Sequence, residues 1–263
     1  MNNEIYKFLK FTNMLADEAR KISLKYFKKK IDVINKSKNE FDPVTIADTK
    51  IQLRLNELIV KNYPEHSVLG EEESLIKHNP YEWCIDPIDG TKSFIQGVPL
   101  WGTLISLSKR GNIILGVADI PALNERWIGY KNRCLLNNSS FISDHKTITR
   151  ISEVTVGSTG PHLFSEIGKQ KYETLIKKSK YHVWSGDCHN YCLVIKGGLD
   201  LVVEEGLSSY DILPLIPILK AKNIIVSDWK SNEINLRNDL LSKYSVVVAR
   251  DKNIYDTAIK ILN

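Results

Sequence analysis

The sequence predicts an α+β fold, and three observations carry that prediction. Two amphipathic helical stripes open the chain, a series of strand-like segments follows, and strands then alternate with helices to the end. In the first stripe Phe8, Phe11, Leu15, Ala19, Ile22 and Tyr26 recur every three or four residues. The second stripe begins near Thr45 and runs to about Asn62, with Ala47, Ile51, Leu55 and Leu58 on one face. Thr45 and Asp48 have the spacing of a capping box, and Pro64 lies past the end. Strands are expected at Trp83–Ile85, Thr103–Ser108, Ile113–Asp119 and Glu125–Tyr130, with the turn "KRGN" closing a hairpin. This half reads as paired helices over an antiparallel sheet.

The second half alternates. Strands are expected at Val154–Ser158, Tyr181–Ser185, Leu201–Glu204, Ile224–Val226 and Ser245–Val248. Helices are expected at Phe164–Ser179, Cys188–Lys196, Tyr210–Ala221 and Asn253–Leu262. The polar stretch "NNSSFISDHKTITR" divides the chain into an N-terminal half, 1–145, and a C-terminal half, 146–263.

Composition narrows the function classes. The chain has 263 residues, 43% apolar and 25% charged, enough for a sizeable core. No apolar run of about 18 residues predicts a membrane span, and the N-terminus lacks the order of a signal peptide, so a cytoplasmic location is expected. Cys84, Cys134, Cys188 and Cys192 form no C-x-x-C and suit reduced thiols. A formal charge of +5 favours anionic ligands mildly, and no basic-aromatic stripe points to nucleic acid.

The chemistry concentrates in "WCIDPIDGTKSF". Asp86 and Asp89 sit three residues apart at the end of an apolar strand. Crowded carboxylates are costly unless a positive charge lies between them, and hard carboxylate oxygens suit magnesium. Glu71 in "GEEES" and Asp211 in "SSYDILP" are further ligand candidates. The turn can aim both aspartates and the Ile88 carbonyl at one point, while Gly90 and Thr91 start a helical turn able to meet a phosphate. Together these residues describe metal-assisted phosphoryl transfer to water. A lone D-x-x-D is more often a solvated turn; the whole string is far more specific.

"GEEE", "WCIDPIDGTKSF", "YDILP" and the upstream "DPVTIAD" resemble, in order, the signature segments of the inositol monophosphatase family, which are magnesium-dependent phosphomonoesterases. The resemblance implies a layered α/β/α/β/α sandwich with an antiparallel N-terminal sheet and a mixed C-terminal sheet. It implies two or three Mg2+ per site. Glu71, Asp86 and the Ile88 carbonyl would hold the first, and Asp86, Asp89 and Asp211 the second. A third, weaker one would lean on Glu71. Thr91, Asp48 and Glu71 would be the catalytic residues, with Thr91 and Asp48 orienting and deprotonating the attacking water and Thr45 supporting Asp48. Gly90 and Thr91 amides would grip the phosphate, and Asp89 and Asp211 would border the substrate. A basic residue at Lys36 or Lys38 would stand near the mouth. Glu72 and Glu73 read as exposed or supporting. A homodimer is also implied.

"GVPLWGTLISL" and "SGDCHNYCLVIKGGLDLVVEEGLSSYDILPLIP" are similar to the histidinol-phosphatase branch of that family. Asp187 and Glu204 would then line the substrate side. From the residues alone, Asp187 can equally cap the helix Cys188–Lys196, and Glu204 at a strand end is more often exposed. Cys188, His189 and Cys192 lack a second ligand pair for zinc, and Cys192 reads as core. His182 and His189 are candidates near the substrate, whereas His66, His78 and His145 read as surface. Trp101 reads as packing under the cleft. The chain departs from the family pattern at Lys222 and Asn223, where relatives have Gly-Gly, and at Val183, where they often carry arginine. The expected function is hydrolysis of the small phosphorylated substrate L-histidinol phosphate in histidine biosynthesis, without nucleic acid or membrane. Alternatives are a phosphatase of inositol 1-phosphate or another small polyol or nucleotide phosphate, and a non-catalytic binding protein on the same fold.

Overall fold

A computed structural model describes residues 3–30, 33–36, 43–142, 147–235 and 243–263. Its outer layer is a helix pair, α1 (Asn3–Tyr26) and α2 (Ile46–Asn62). Phe8, Phe11, Leu15 and Ala19 of α1 are buried, as the periodicity requires. On α2 the buried series is Ala47, Ile51, Leu55 and Ile59; Leu58, one residue earlier, is only partly covered. The capping box forms: Thr45 Oγ1 accepts from the Ala47 N–H at 3.1 Å, and Asp48 Oδ2 accepts from the Thr45 N–H at 2.9 Å. A short ribbon of β1 (Val33–Asn35) and β2 (Pro43–Thr45) leads into α2.

The helix pair covers a seven-stranded sheet of β3 (Ser67–Gly70), β4 (Tyr81–Asp89), β5 (Gly102–Lys109), β6 (Asn112–Ile120), β7 (Glu125–Tyr130), β8 (Arg133–Leu136) and β9 (Ser139–Ser140), in that order. Every neighbouring pair is antiparallel except β3–β4, where the edge strand runs parallel. The short helix α3 (Thr91–Gln96) connects β4 to β5. The β5–β6 hairpin closes on Arg110 and Gly111, both at positive φ, the turn that matches strand twist.

The second sheet has the order β11-β10-β12-β14-β13, from β10 (Thr155–Ser158), β11 (Tyr181–Trp184), β12 (Leu201–Leu207), β13 (Ile225–Ser227) and β14 (Tyr244–Ala249). It is mixed: β10 runs parallel to β11 and β12, and β14 antiparallel to β12 and β13. Helices α4 (Glu166–Ile176) and α8 (Lys252–Leu262) cover its outer face through Tyr172, Leu175, Ile254, Ala258 and Leu262. Between the sheets lie α5 (Asp187–Lys196), α6 (Ser209–Ile212) and α7 (Ile216–Lys220). The α/β/α/β/α sandwich is thus complete, and its middle core draws Leu69, Cys84 and Leu104 from one half and Val202 and Val246 from the other.

Two expected helices differ. Tyr210–Ala221 is broken into α6, a 3-10 turn at Leu213–Leu215, and α7, because Pro214 and Pro217 cannot donate in an α-helical ladder. Phe164–Ser179 starts later, at Glu166, where Ser165 caps by accepting from the Gly168 N–H at 3.1 Å. The broken run lies flat on the first sheet. A Cβ on Gly116 would stand 2.0 Å from the Pro214 carbonyl oxygen, and one on Gly129 would stand 2.2 Å from the Ile218 nitrogen. Part of the inter-half polar stretch, 143–146, lies outside the described residues. Among the described residues no helix is long and apolar enough to cross a membrane.

Candidate active site

In an ordinary strand, residues three apart point to opposite faces. Asp86 and Asp89 escape that rule through a bulge. Asp86 pairs with Leu104 and Asp89 with Gly102, so three steps on β4 answer two on β5. Pro87 sits in the bulge, its carbonyl held by the Thr103 hydroxyl at 2.8 Å. Asp211 arrives from the first turn of α6, where its Oδ2 accepts from the Ser208 N–H at 2.7 Å. One oxygen from each of Asp86, Asp89 and Asp211 lies within 4.8 Å of the others.

This trio is electrostatically unsatisfied. Among the described residues, Asp86 Oδ1 is buried with no hydrogen-bond partner. Burial pushes the Asp86 carboxyl well above the usual range, and Glu71, Asp89 and Asp211 push it further. Burial does the same to Asp89, reinforced by Asp187 and Asp211, and lifts Asp211 to about 7. Asp89 Oδ2 accepts from the Cys188 N–H at 2.5 Å, which ties the cluster to the first turn of α5. Glu71 lies within hydrogen-bonding reach of Asp86. Its Oε1 also accepts from Lys36 Nζ at 2.7 Å, and Lys36 reaches Glu72 at 3.0 Å. Lys38 lies outside the described residues. Glu73 is exposed and accepts from Asn56.

Asp48 is buried beside this cluster. Its Oδ2 accepts from both the N–H and the hydroxyl of Thr45, the latter at 2.5 Å, while Oδ1 has no partner among the described residues. Burial lifts its carboxyl to about 7 against those two hydrogen bonds. Gly90, at φ 83, turns the chain into α3. The Thr91 hydroxyl donates to the Ile88 carbonyl at 2.9 Å, and the Ile88 side chain is fully buried beneath.

A cleft of about 180 Å³ opens beside the trio. Asp89, Gly90, Thr91, Asp187 and Asp211 line it. So do Pro43, Lys92, Thr159, His162, Leu163 and Leu207, which sequence reasoning did not single out. Asp187 does not cap α5. It occupies the first helical position at φ 41, and the residue before it, Gly186, is the N-cap. Its carboxylate instead lies against Gly90, Oδ2 being 2.9 Å from where a Cβ there would stand. Burial raises Asp187 to about 6, opposed by a hydrogen bond from Thr159 and by the charge of Lys92.

Glu204 is placed differently from the sequence expectation. It is fully buried in β12, behind the cleft wall. Oε1 accepts from the N–H of Thr159 at 2.7 Å and from its hydroxyl at 3.1 Å, and Oε2 accepts from Ser158 at 3.2 Å. Thr159 lines the cleft; Glu204 holds Thr159.

The histidines also resort themselves. His66 is buried, stacked between Tyr63 and Tyr81 at 4.7 and 4.8 Å, and accepts from Trp83 Nε1. His78 is exposed as expected, and His145 lies outside the described residues. Neither His182, exposed on edge strand β11, nor the buried His189 lines the cleft. All four cysteines are buried and unpaired, with Cys192 in the core. Trp101 is fully buried, edge-on to Phe94 at 4.8 Å.

A strand bulge and a helix start thus build an acid trio beside a short Gly-Thr turn. The family model described as "Inositol monophosphatase family" matches residues 4–263. The chain belongs to the inositol monophosphatase family. It is 36% identical over 267 residues to the chloroplastic bifunctional phosphatase IMPL2 of Arabidopsis thaliana, covering 99% of this chain and 76% of that protein. It is 30% identical to the histidinol-phosphatase of Chlorobaculum parvum, covering 83% and 85%. Among solved structures, an inositol monophosphatase from Zymomonas mobilis superposes with a TM-score of 0.86 at 29% identity, covering 98% of both chains. Inositol monophosphatase family membership makes the chain a phosphatase, and the acidic cluster suits the divalent metals that such phosphatases use.

Proposed function

We propose that the protein is a magnesium-dependent phosphomonoesterase that hydrolyses L-histidinol phosphate to L-histidinol and phosphate, in histidine biosynthesis. The observation that carries the reading is the cleft itself: the trio Asp86, Asp89 and Asp211 at one end and the Asp187 carboxylate along the wall. The donor set fits hard divalent cations. It is all oxygen, it includes the orphaned Asp86 Oδ1, and its mutual repulsion falls when positive charge enters. Glu71, Asp86, Asp89, Asp211 and the Ile88 carbonyl would hold two Mg2+, with a third against Glu71. When bound, the cations lower the pKa of water and stabilise the departing oxygen.

The chain's own residues do the rest. The Gly90 and Thr91 amides orient the phosphate. Thr91 Oγ1 and Asp48 position the attacking water, and Asp48 Oδ1, which has no other partner, takes its proton. The water oxygen bonds to phosphorus as the ester P–O bond breaks in line, and no phospho-enzyme forms. Asp187 faces the alcohol half, where the ammonium of histidinol phosphate finds a counter-charge. The Chlorobaculum relative named histidinol-phosphatase supports this substrate. The likeness to the Zymomonas inositol monophosphatase supports the second reading, hydrolysis of inositol 1-phosphate or another small polyol or nucleotide phosphate. With the leading reading go a homodimer and a cytoplasmic location, and neither nucleic acid nor membrane as partner.

Rates with magnesium on histidinol phosphate, inositol phosphates and adenosine bisphosphates test it. Highest kcat/KM is expected on histidinol phosphate. A higher value on an inositol phosphate moves the assignment to the second reading, and no turnover on any ester leaves a non-catalytic binding protein.

A further inference from the structure

Beyond the acids, Thr91, Asp187 and the Thr159 that Glu204 holds, two more polar side chains line the cleft: Lys92 and His162. Lys92 follows Thr91 on α3. His162 sits in the 3-10 turn Pro161–Leu163 that joins β10 to α4. They meet across the cleft, Lys92 Nζ lying 3.5 Å from His162 Nε2.

An ammonium only donates, so where the two side chains meet the His162 ring can take the accepting role through Nε2. The other edge of the ring is accommodated by a missing side chain. A Cβ on residue 160 would stand 2.8 Å from His162 Nδ1, so Gly160 leaves the space the ring occupies. Leu163 continues the same wall. Away from the acid trio the cleft is two-sided, with a carboxylate at Asp187 and a planar ring with an aliphatic neighbour at His162 and Leu163. A polyol has only hydroxyls to set against the second side, whereas a planar ring can lie on it.

We infer that His162 is the specificity-determining residue for the alcohol half of the substrate, reading a planar ring, and that Lys92 is the positioning residue that holds it. This rests on the phosphomonoesterase reading and deepens it, but it concerns any ring-bearing phosphate ester, not histidinol phosphate alone.

The test measures kcat and KM for wild type, His162→Ala, His162→Phe, Lys92→Met and Lys92→Arg on three esters: histidinol phosphate, 2-phenylethyl phosphate and glycerol phosphate. Wild type is expected to prefer the ring-bearing esters. His162→Ala should lower the ratio of kcat/KM on ring-bearing esters to that on glycerol phosphate by roughly twofold to tenfold, mainly through KM. His162→Phe should keep the preference for 2-phenylethyl phosphate. Lys92→Met should lower the same ratio, and Lys92→Arg should restore it. Equal losses on all three esters overturn the inference in favour of a phosphate-binding or structural role. An unchanged ratio in His162→Ala, or a wild type with no preference for either ring-bearing ester, overturns it outright. If wild type prefers 2-phenylethyl phosphate and His162→Ala erases that preference while histidinol phosphate is not hydrolysed, the histidinol assignment falls and the inference stands.

Discussion

Asp86 and Glu204 are both acids sealed inside the protein, and burial raises both well above the usual carboxylate range. Their surroundings differ. Glu204 is saturated: Thr159 donates twice to one oxygen, and Ser158 donates to the other. Asp86 keeps one oxygen without a partner among the described residues and has three acids for neighbours. Asp119 shows a third arrangement, gripped by Arg20 at 2.7 and 3.0 Å and by Arg126 at 2.7 Å. An acid that the fold satisfies by itself is structural. An acid cluster that the fold leaves unsatisfied is waiting for charge from outside.

Substitutions on the two sides should therefore fail in different ways. The largest effect is expected for Asp89→Asn. The amide still accepts from Cys188, so the fold persists, but the cluster loses a charge. Turnover at saturating magnesium should fall by roughly a thousandfold, and the rise in Tm that the cation gives wild type should shrink. Near-normal turnover would place the metals elsewhere. Thr91→Ala should lower kcat by about a hundredfold with a smaller change in KM, because the loss falls on water positioning. A change confined to KM would reduce Thr91 to a phosphate contact.

Asp187 stands between the two extremes, partly satisfied by Thr159 and open to the cleft. Asp187→Asn should lower the ratio of kcat/KM on histidinol phosphate to that on glycerol phosphate by roughly tenfold to a hundredfold, the worth of one charge-assisted hydrogen bond. Because Asp187 is not the cap of α5, an equal loss on both esters would point to its packing against Gly90. The smallest change in rate is expected at Glu204, where the effect is on stability. The unfolded chain ionises this carboxyl near the ordinary 4.5, the folded one near 8. The stability it contributes is full below pH 4.5 and is lost as pH rises through about 8. Glu204→Gln cannot ionise and can still pair with Ser158 and Thr159. Its stability relative to wild type should climb across that window, to roughly 2–4 kcal/mol, in chemical denaturation at pH 5 and pH 8. A pH-independent difference would mean that Glu204 is charged when folded.

The same contrast explains what could be read in the sequence. The acids were legible where their signal is local. Asp86 and Asp89 are three residues apart, the capping-box spacing at Thr45 announces where Asp48 must stand, and the string "SSYDILP" puts Asp211 at a helix start. The helix stripes and hairpin strands were legible for the same reason. The far wall was not. His162 meets Lys92 across 70 residues, and Thr159 finds Glu204 across 45. No periodicity or spacing carries such pairs. The sequence leaves Asp187 open between a cap and a cleft residue, because the positive φ there and the Gly186 before it, which set the start of α5, leave no signal in the spacing. His66 looked like a surface residue in sequence, and only the approach of Tyr63, Tyr81 and Trp83 from separate elements buries it.

The contacts at Gly116 and Gly129 have a consequence for how such a protein can diverge. They clamp the run that begins with Asp211 directly onto β6 and β7, so the last acid of the trio is mechanically part of the first sheet. The cleft residues that the proposed reading sets against the alcohol, Thr159, His162 and Asp187, hang instead from the second sheet and its connections. On the proposed reading, hydrolytic chemistry and substrate choice therefore rest mainly on different sheets, joined where Cys188 meets Asp89, Asp187 meets Gly90 and His162 meets Lys92. Changes in the β10–α4 connection that spare those joints would alter the alcohol side while leaving the acid trio in place.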